Sequence, residues 1–141
     1  LARDDKGAII LCRTSNPGSG EFQDVLTDGK KVFETVANSV AREWNTNKNC
    51  MLVVGATYPE EAAAIRQIVG DDLWFLVPGV GAQGGSVEAT MHAAQNAHGD
   101  GLIISSSRDI MFASSGADFA EAARAKAKAL RSEINTYRKG K

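Results

Sequence analysis

Apolar positions fall into two kinds of pattern that alternate along the chain. Four short stretches, "GAIILCRTS" (7–15), "CMLVVGAT" (50–57), "WFLVPGV" (74–80) and "GLIISSS" (101–107), are apolar at successive rather than alternate positions. Such runs predict parallel strands covered on both faces. Between them the spacing changes. Val32 or Phe33, Val36, Val40 and Trp44 recur every three or four residues and predict a helix of about four turns. In "TYPEEAAAIRQIVG" Pro59 suits a first helical position, Glu60 and Glu61 suit the positive end of the helix dipole, and Gly70 suits the stop. "SVEATMHAAQNAHG" offers Ser86 as N-cap and Gly99 as C-terminal stop. A last helix is expected from about Ala117, with Phe119, Ala123, Leu130, Ile134 and Tyr137 on one face and a solvated "RKGK" at 138–141, read as a tail or the start of a linker.

The order βαβαβαβα predicts a parallel sheet with right-handed crossovers. Two architectures satisfy it: a small open doubly wound sheet, or half of an eight-stranded barrel, since a complete barrel needs about 250 residues. The chain has 141 residues, 43% hydrophobic and 23% charged, enough for one domain. It opens on the polar "LARDDKG" with Leu1 rather than Met, which predicts a piece of a longer polypeptide. Sixteen basic against seventeen acidic residues leave a net charge of -1, so nothing global favours nucleic acid or an anionic membrane, and any anion site must be local. No apolar run approaches the ~20 residues of a membrane span. Cys12 and Cys50 lie inside apolar runs and read as reduced and buried, which fits a cytoplasmic protein.

In either architecture ligands bind at the carboxyl ends of the strands, here "RTSNPGSG", "GATYPEE", "VPGVGAQGG" and "SSSRDI". Gly79, Gly81 and Gly84 have the G-x-G-x-x-G spacing of a dinucleotide turn. The spacing alone is weak. The motif follows the third strand rather than the first, Pro78 precedes its first glycine, and the acid expected about twenty residues on has only Asp109, twenty-five beyond Gly84, to stand for it. A second reading pairs this loop with the next. Glycine amides and Gln83 at one strand end, and residues 105–107 with Arg108 at its neighbour, would converge on one anion. That is how many barrels bind phosphate, with the loops after strands seven and eight.

"PGVGAQGG" after an apolar strand, a later strand ending in Ser107-Arg108, and the upstream "TSNPG" resemble the orotidine 5'-monophosphate decarboxylase family. The resemblance spans essentially the whole chain and implies an α/β fold, a (β/α)8 TIM barrel of which residues 1–141 cover strands five to eight. It implies decarboxylation of orotidine 5'-monophosphate to uridine 5'-monophosphate in de novo pyrimidine biosynthesis, with no metal or cofactor. It also implies a homodimer and, in some relatives, fusion to orotate phosphoribosyltransferase. The family's Asp-x-Lys-x-x-Asp signature does not occur here, so the lysine and aspartate network is expected in the N-terminal half of the barrel and no catalytic residue in this one.

By motif position, Ser15 resembles the serine that bonds the pyrimidine edge, and Pro78 the residue whose ring and carbonyl line the base pocket. Gln83 resembles the glutamine bridging base and phosphate, Arg108 the phosphate-binding arginine, and Gly84 and Gly85 the backbone of the phosphate loop. Ser107 stands where many relatives have glycine and can still donate its N–H; Asp109 is expected to point away from the dianion. His92 and His98 read as solvent-facing or helix-terminal, Asp71-Asp72 as a turn, and Trp44, Trp74 and Phe75 as packing residues. Two rivals stay open: another phosphate-binding barrel enzyme acting on a sugar phosphate, and a half-barrel that binds phosphate or a partner without catalysis. An isolated half would expose two strand edges and aggregate or dimerise.

Overall fold

The computed structural model describes residues 2–81 and 83–139. The first strand, β1 (Ala8–Arg13), leads through a 3-10 turn (Pro17–Ser19) and a single helical turn, α1 (Gly20–Gln23), into a hairpin of β2 (Leu26–Thr27) and β3 (Lys30–Lys31). Its loop is Asp28-Gly29, both residues at positive φ (52° and 78°), the pairing that matches the twist of a two-residue hairpin. The sequence reading did not anticipate this hairpin.

Helix α2 (Val32–Ser39) continues as a wider π turn over Val40–Trp44, so the four-turn apolar stripe is present. There follow β4 (Cys50–Val54), α3 (Pro59–Val69), β5 (Trp74–Pro78), α4 (Val87–Ala94), β6 (Leu102–Ser105), the short α5 (Ser107–Met111) and α6 (Phe119–Thr136). Pro59 opens α3 and Gly70, at φ +69°, closes it, while the Ser86 hydroxyl accepts from the Ala89 N–H at 3.2 Å to cap α4. Helix α4 nevertheless stops at Ala94 rather than running on to Gly99. From there Gln95 and Asn96 are buried and hydrogen-bonded elsewhere: the Gln95 amide donates to the Tyr137 carbonyl at 3.1 Å, and the Asn96 amide to Asp100 Oδ1 at 2.6 Å. Of the expected tail, Arg138 donates to the Gly99 carbonyl at 2.9 Å and the Lys139 N–H to Gln95 Oε1 at 3.1 Å; Gly140 and Lys141 lie outside the described residues.

The four main strands form one parallel sheet in the order β1-β4-β5-β6. Ile10, Leu52, Phe75 and Leu102 stand side by side and face the helices, where the core lies. The next row, Leu11, Val53, Leu76 and Ile103, faces the other way. Ile9, Leu11, Trp74 and Ile103 on that side are 47%, 60%, 45% and 39% exposed. The expectation of strands covered on both faces therefore holds for one face only. In an open half-barrel the second face is the one that other strands would enclose. For the same reason Trp74, read as a packing residue, is half-exposed, whereas Phe75 is fully buried; Trp44, at the end of the π turn, is half-exposed as well.

Two buried arginines tie the layers together. Arg66 of α3 stacks on the Phe75 ring at 3.8 Å and donates to the carbonyls of Leu73 (2.7 Å), Gly70 (2.8 Å), Ala94 (2.9 Å) and Gly101 (3.4 Å). Burial lowers its pKa to about 10 against the opposing pull of Asp71 and Asp100. It clamps the amino-terminal edge of the sheet. Arg13 lies at the opposite edge, where the register slips between Leu11 and Arg13 so that Cys12 and Arg13, adjacent in sequence, are both buried.

Candidate active site at the carboxyl edge of the sheet

Because all four strands run the same way, the loops that follow them share one edge. Ser15, two residues past β1, sits in a nest made by glycines of the two next strands. A Cβ on Gly55 would lie 2.7 Å from the Ser15 backbone nitrogen, and one on Gly79 would lie 3.0 Å from the Ser15 Cβ. Only glycine lets the three strand ends come this close. The Thr57 hydroxyl donates to the Ser15 carbonyl at 3.1 Å, and the Ser15 hydroxyl donates to Gln83 Oε1 at 2.5 Å, bridging the loops after β1 and β5. The roles of Gly55 and Thr57 are not legible in the sequence, because their partner lies about forty positions away.

The glycine loop folds on itself. Gly79, Gly81 and Gly84 have φ of +99°, +78° and +87°, so all three need the left-handed region. The Gly84 N–H donates to the Gly81 carbonyl at 2.7 Å, the Gly85 N–H to the Gly79 carbonyl at 3.0 Å, and the Gly81 N–H to the Gly85 carbonyl at 3.1 Å. The Gly84 and Gly85 amides are thus engaged within their own loop, and of this loop Gln83 lines the cavity beside it. Pro78 is likewise divided between two roles. It ends β5, its carbonyl accepts from the Ala56 N–H at 2.9 Å, and the residue lines the cavity.

At the next strand end Ser106 is buried, and its hydroxyl lies 3.3 Å from the Val80 carbonyl and 3.2 Å from Asp109 Oδ2. Asp109 packs over Gly81, which has no room for a side chain beneath it, and lines a separate cleft with Lys126 and Glu133. As expected, it faces away from Arg108's cavity. Ser107 and Arg108 begin α5 and are exposed, and Arg108 forms no side-chain hydrogen bond or ion pair with any other described residue. A cavity of about 110 Å³ is lined by residues 78–80, Gln83 and residues 105–108. A wider cleft of about 640 Å³ beside it is lined by residues 15–17, Thr57, Tyr58, Gln83 and Arg108. Gln83 and Arg108 belong to both. The structure thus brings Ser15, Pro78, Gln83, Ser107 and Arg108 around one continuous groove and leaves Gly84 and Gly85 behind it. His92 and His98 are exposed and remote, His92 pairing with Glu88 at 3.9 Å.

The groove thus carries a hydroxyl-amide bridge beside a guanidinium that has no partner among the described residues. The family profile described as Orotidine 5'-phosphate decarboxylase / HUMPS family matches residues 1–125. The chain belongs to that family. Among its curated relatives, the orotidine 5'-phosphate decarboxylase of Cellvibrio japonicus is 56% identical over 134 residues, covering 95% of this chain and 49% of its own length. That of Azoarcus sp. is 54% identical over 138 residues, covering 98% and 51%. The chain therefore spans about half the length of the curated relatives it matches. Among solved structures, Leishmania donovani UMP synthase superposes with a TM-score of 0.79 at 39% identity, over 93% of this chain and 28% of that one. Leishmania donovani OMP decarboxylase superposes at 0.77 and 36% identity, over 94% and 50%. The four parallel βα units are thus a run of consecutive units of the orotidine 5'-phosphate decarboxylase TIM barrel, which decides between the two architectures that the pattern allowed. Among the described residues no helix is long and apolar enough to cross a membrane.

Proposed function

We propose that this chain is the substrate-holding half of an orotidine 5'-phosphate decarboxylase, strands five to eight of the barrel, and that the whole protein converts orotidine 5'-phosphate to uridine 5'-monophosphate in de novo pyrimidine synthesis. The observation that carries this reading is the Ser15–Gln83–Arg108 line along the groove, in which a 2.5 Å hydrogen bond joins the first two and the third is an unpaired cation. Ser15 and the Gln83 amide would bond the pyrimidine edge, the Pro78 ring would pack on the base, and Gln83, Arg108 and the Ser107 N–H would hold the phosphate.

In the reaction the bond from C6 to the carboxylate breaks, carbon dioxide leaves, and the electron pair stays on C6 until a proton arrives. The lysine and aspartate network that stabilises and protonates that carbanion would lie in the other half of the barrel. The present residues grip the phosphate and base, and binding energy from those non-reacting parts orients the ring and lowers the barrier. The apolar open face of the sheet supports completion of the barrel by further strands. A homodimer in the cytoplasm is expected of the whole protein. Fusion to orotate phosphoribosyltransferase beyond residues 138–141 is a further option, supported by the longer UMP synthase relative.

Arg108→Ala in the full-length protein tests the reading. A charge-assisted hydrogen bond contributes about 1.5 to 3 kcal/mol, so kcat/KM for uridine 5'-monophosphate formation should fall by one to two decades. A value within threefold of wild type would reject it, and turnover of a sugar phosphate in place of the nucleotide would favour the rival barrel enzyme.

A further inference from the structure

Arg13 is not part of the groove, yet it is 2% exposed at the carboxyl end of β1, two residues before Ser15. A buried cation is costly unless its surroundings are arranged for it. Here they come from four elements. The guanidinium stacks 4.2 Å from the centre of the Tyr58 ring and 5.6 Å from that of Phe33. Its nitrogens reach Gln23 Oε1 at 3.4 Å, Asp24 Oδ2 at 3.4 Å and Glu61 Oε1 at 3.5 Å, and Lys31 approaches the other Asp24 oxygen at 3.2 Å. Two cations and two carboxylates therefore balance in one cluster. These bonds are long, and the Arg13 Nε has no hydrogen-bond partner.

What the cluster does reach is both neighbours of Ser15. On one side, Gln23, held by Arg13, accepts from the Thr14 N–H at 3.0 Å and donates to the Thr14 hydroxyl at 3.0 Å. On the other, the hydroxyl of Tyr58, whose ring carries the guanidinium, reaches the Asn16 carbonyl at 3.5 Å. The register slip in β1 makes this possible, since strict alternation would place Arg13 on the open face with Leu11. We propose that Arg13 is a positioning residue for Ser15, fixing residues 14–16 through Gln23 and Tyr58 so that the serine hydroxyl meets Gln83 and the base. The inference rests on the reading of Ser15 as the pyrimidine-edge donor.

The test is a double-mutant cycle in the full-length protein, with Arg13→Met and Ser15→Ala singly and together. Each is assayed for kcat and KM with orotidine 5'-phosphate and for inhibition by ribose 5-phosphate, which engages only the phosphate end. Arg13→Met should lower kcat/KM at least tenfold in the wild-type background but less than threefold beside Ser15→Ala, with ribose 5-phosphate inhibition unchanged within twofold. Equal losses in both backgrounds, or a parallel loss of ribose 5-phosphate binding, would overturn the positioning role while leaving the site reading intact. Ser15→Ala within threefold of wild type would overturn both. Should Arg13→Met not fold, Tyr58→Leu removes the stacking ring and leaves the ion cluster in place, and the same pattern of coupling is expected from it.

Discussion

Gly55→Ala adds one methyl group at a position that looks like an ordinary strand end, and it should disable the site. The new Cβ would lie 2.7 Å from the Ser15 nitrogen, 2.9 Å from its Cα and 3.0 Å from its Cβ. Comfortable carbon contacts begin at about 3.5 Å, so the Ser15 backbone must retreat by roughly 0.7 Å, because none of these atoms can swing aside like a side-chain tip. Retreat along the line to Gln83 would stretch the Ser15–Gln83 bond from 2.5 Å to about 3.2 Å, beyond the upper end, about 3.0 Å, of the usual range for a hydroxyl donor. Two costs follow. Overpacking destabilises by about 1 to 3 kcal/mol, which a stable domain survives. Misplacing a substrate-orienting group by about 1 Å can cost 100-fold in rate, so the catalytic effect should be the larger. In the full-length protein kcat/KM for orotidine 5'-phosphate, followed by loss of the substrate's ultraviolet absorbance, should fall 10- to 100-fold while ribose 5-phosphate still inhibits and the urea midpoint drops only modestly. If kcat/KM stays within threefold, Ser15 is not held by the Gly55 contact and the nest around it does not serve substrate binding.

Other perturbations probe the scaffold. Arg66→Met would leave four backbone carbonyls short of a donor, and urea unfolding should show a loss of at least about 3 kcal/mol at unchanged slope. Leu11→Asn, on the open row, should cost the full-length protein about 2 kcal/mol or more if other strands cover that face; a change below about 0.5 kcal/mol, the size of an ordinary surface substitution, would show that they do not. Burial raises the Cys12 thiol from 9.0 to about 12, with Cys50 also raised. Both should resist iodoacetamide at pH 8 until denaturant is added. The fold holds the neutral thiol, so the Cys12 contribution leaves stability unchanged below about pH 9 and lowers it as pH rises from 9 toward 12, a trend that Cys12→Ala should reduce.

The strand runs and helix stripes were legible because burial in a parallel sheet demands consecutive apolar residues, and because Pro59, Gly70 and Ser86 act on their own neighbours. The Asp28-Gly29 hairpin carried a readable signal that the strand and helix patterns on either side overshadowed. The end of α4 at Ala94 was not readable, since it is set by partners of Gln95 and Asn96 in the turn at Asp71 and in the chain after α6. Of the residues that line the groove, Ser15, Pro78, Gln83, Ser107 and Arg108 could be placed at strand ends from the sequence.

What the sequence determines by itself is local: period, caps, breakers, and which residue types stand at the strand ends. Only the tertiary structure decides which of those ends touch. It engages the Gly84 and Gly85 amides within their own loop, makes Gly55 a requirement of Ser15, and turns Arg13 into the core through a one-residue slip. Each of these depends on contacts between residues far apart in the chain, and the free energy of such a contact belongs to the pair and has no trace in either residue alone.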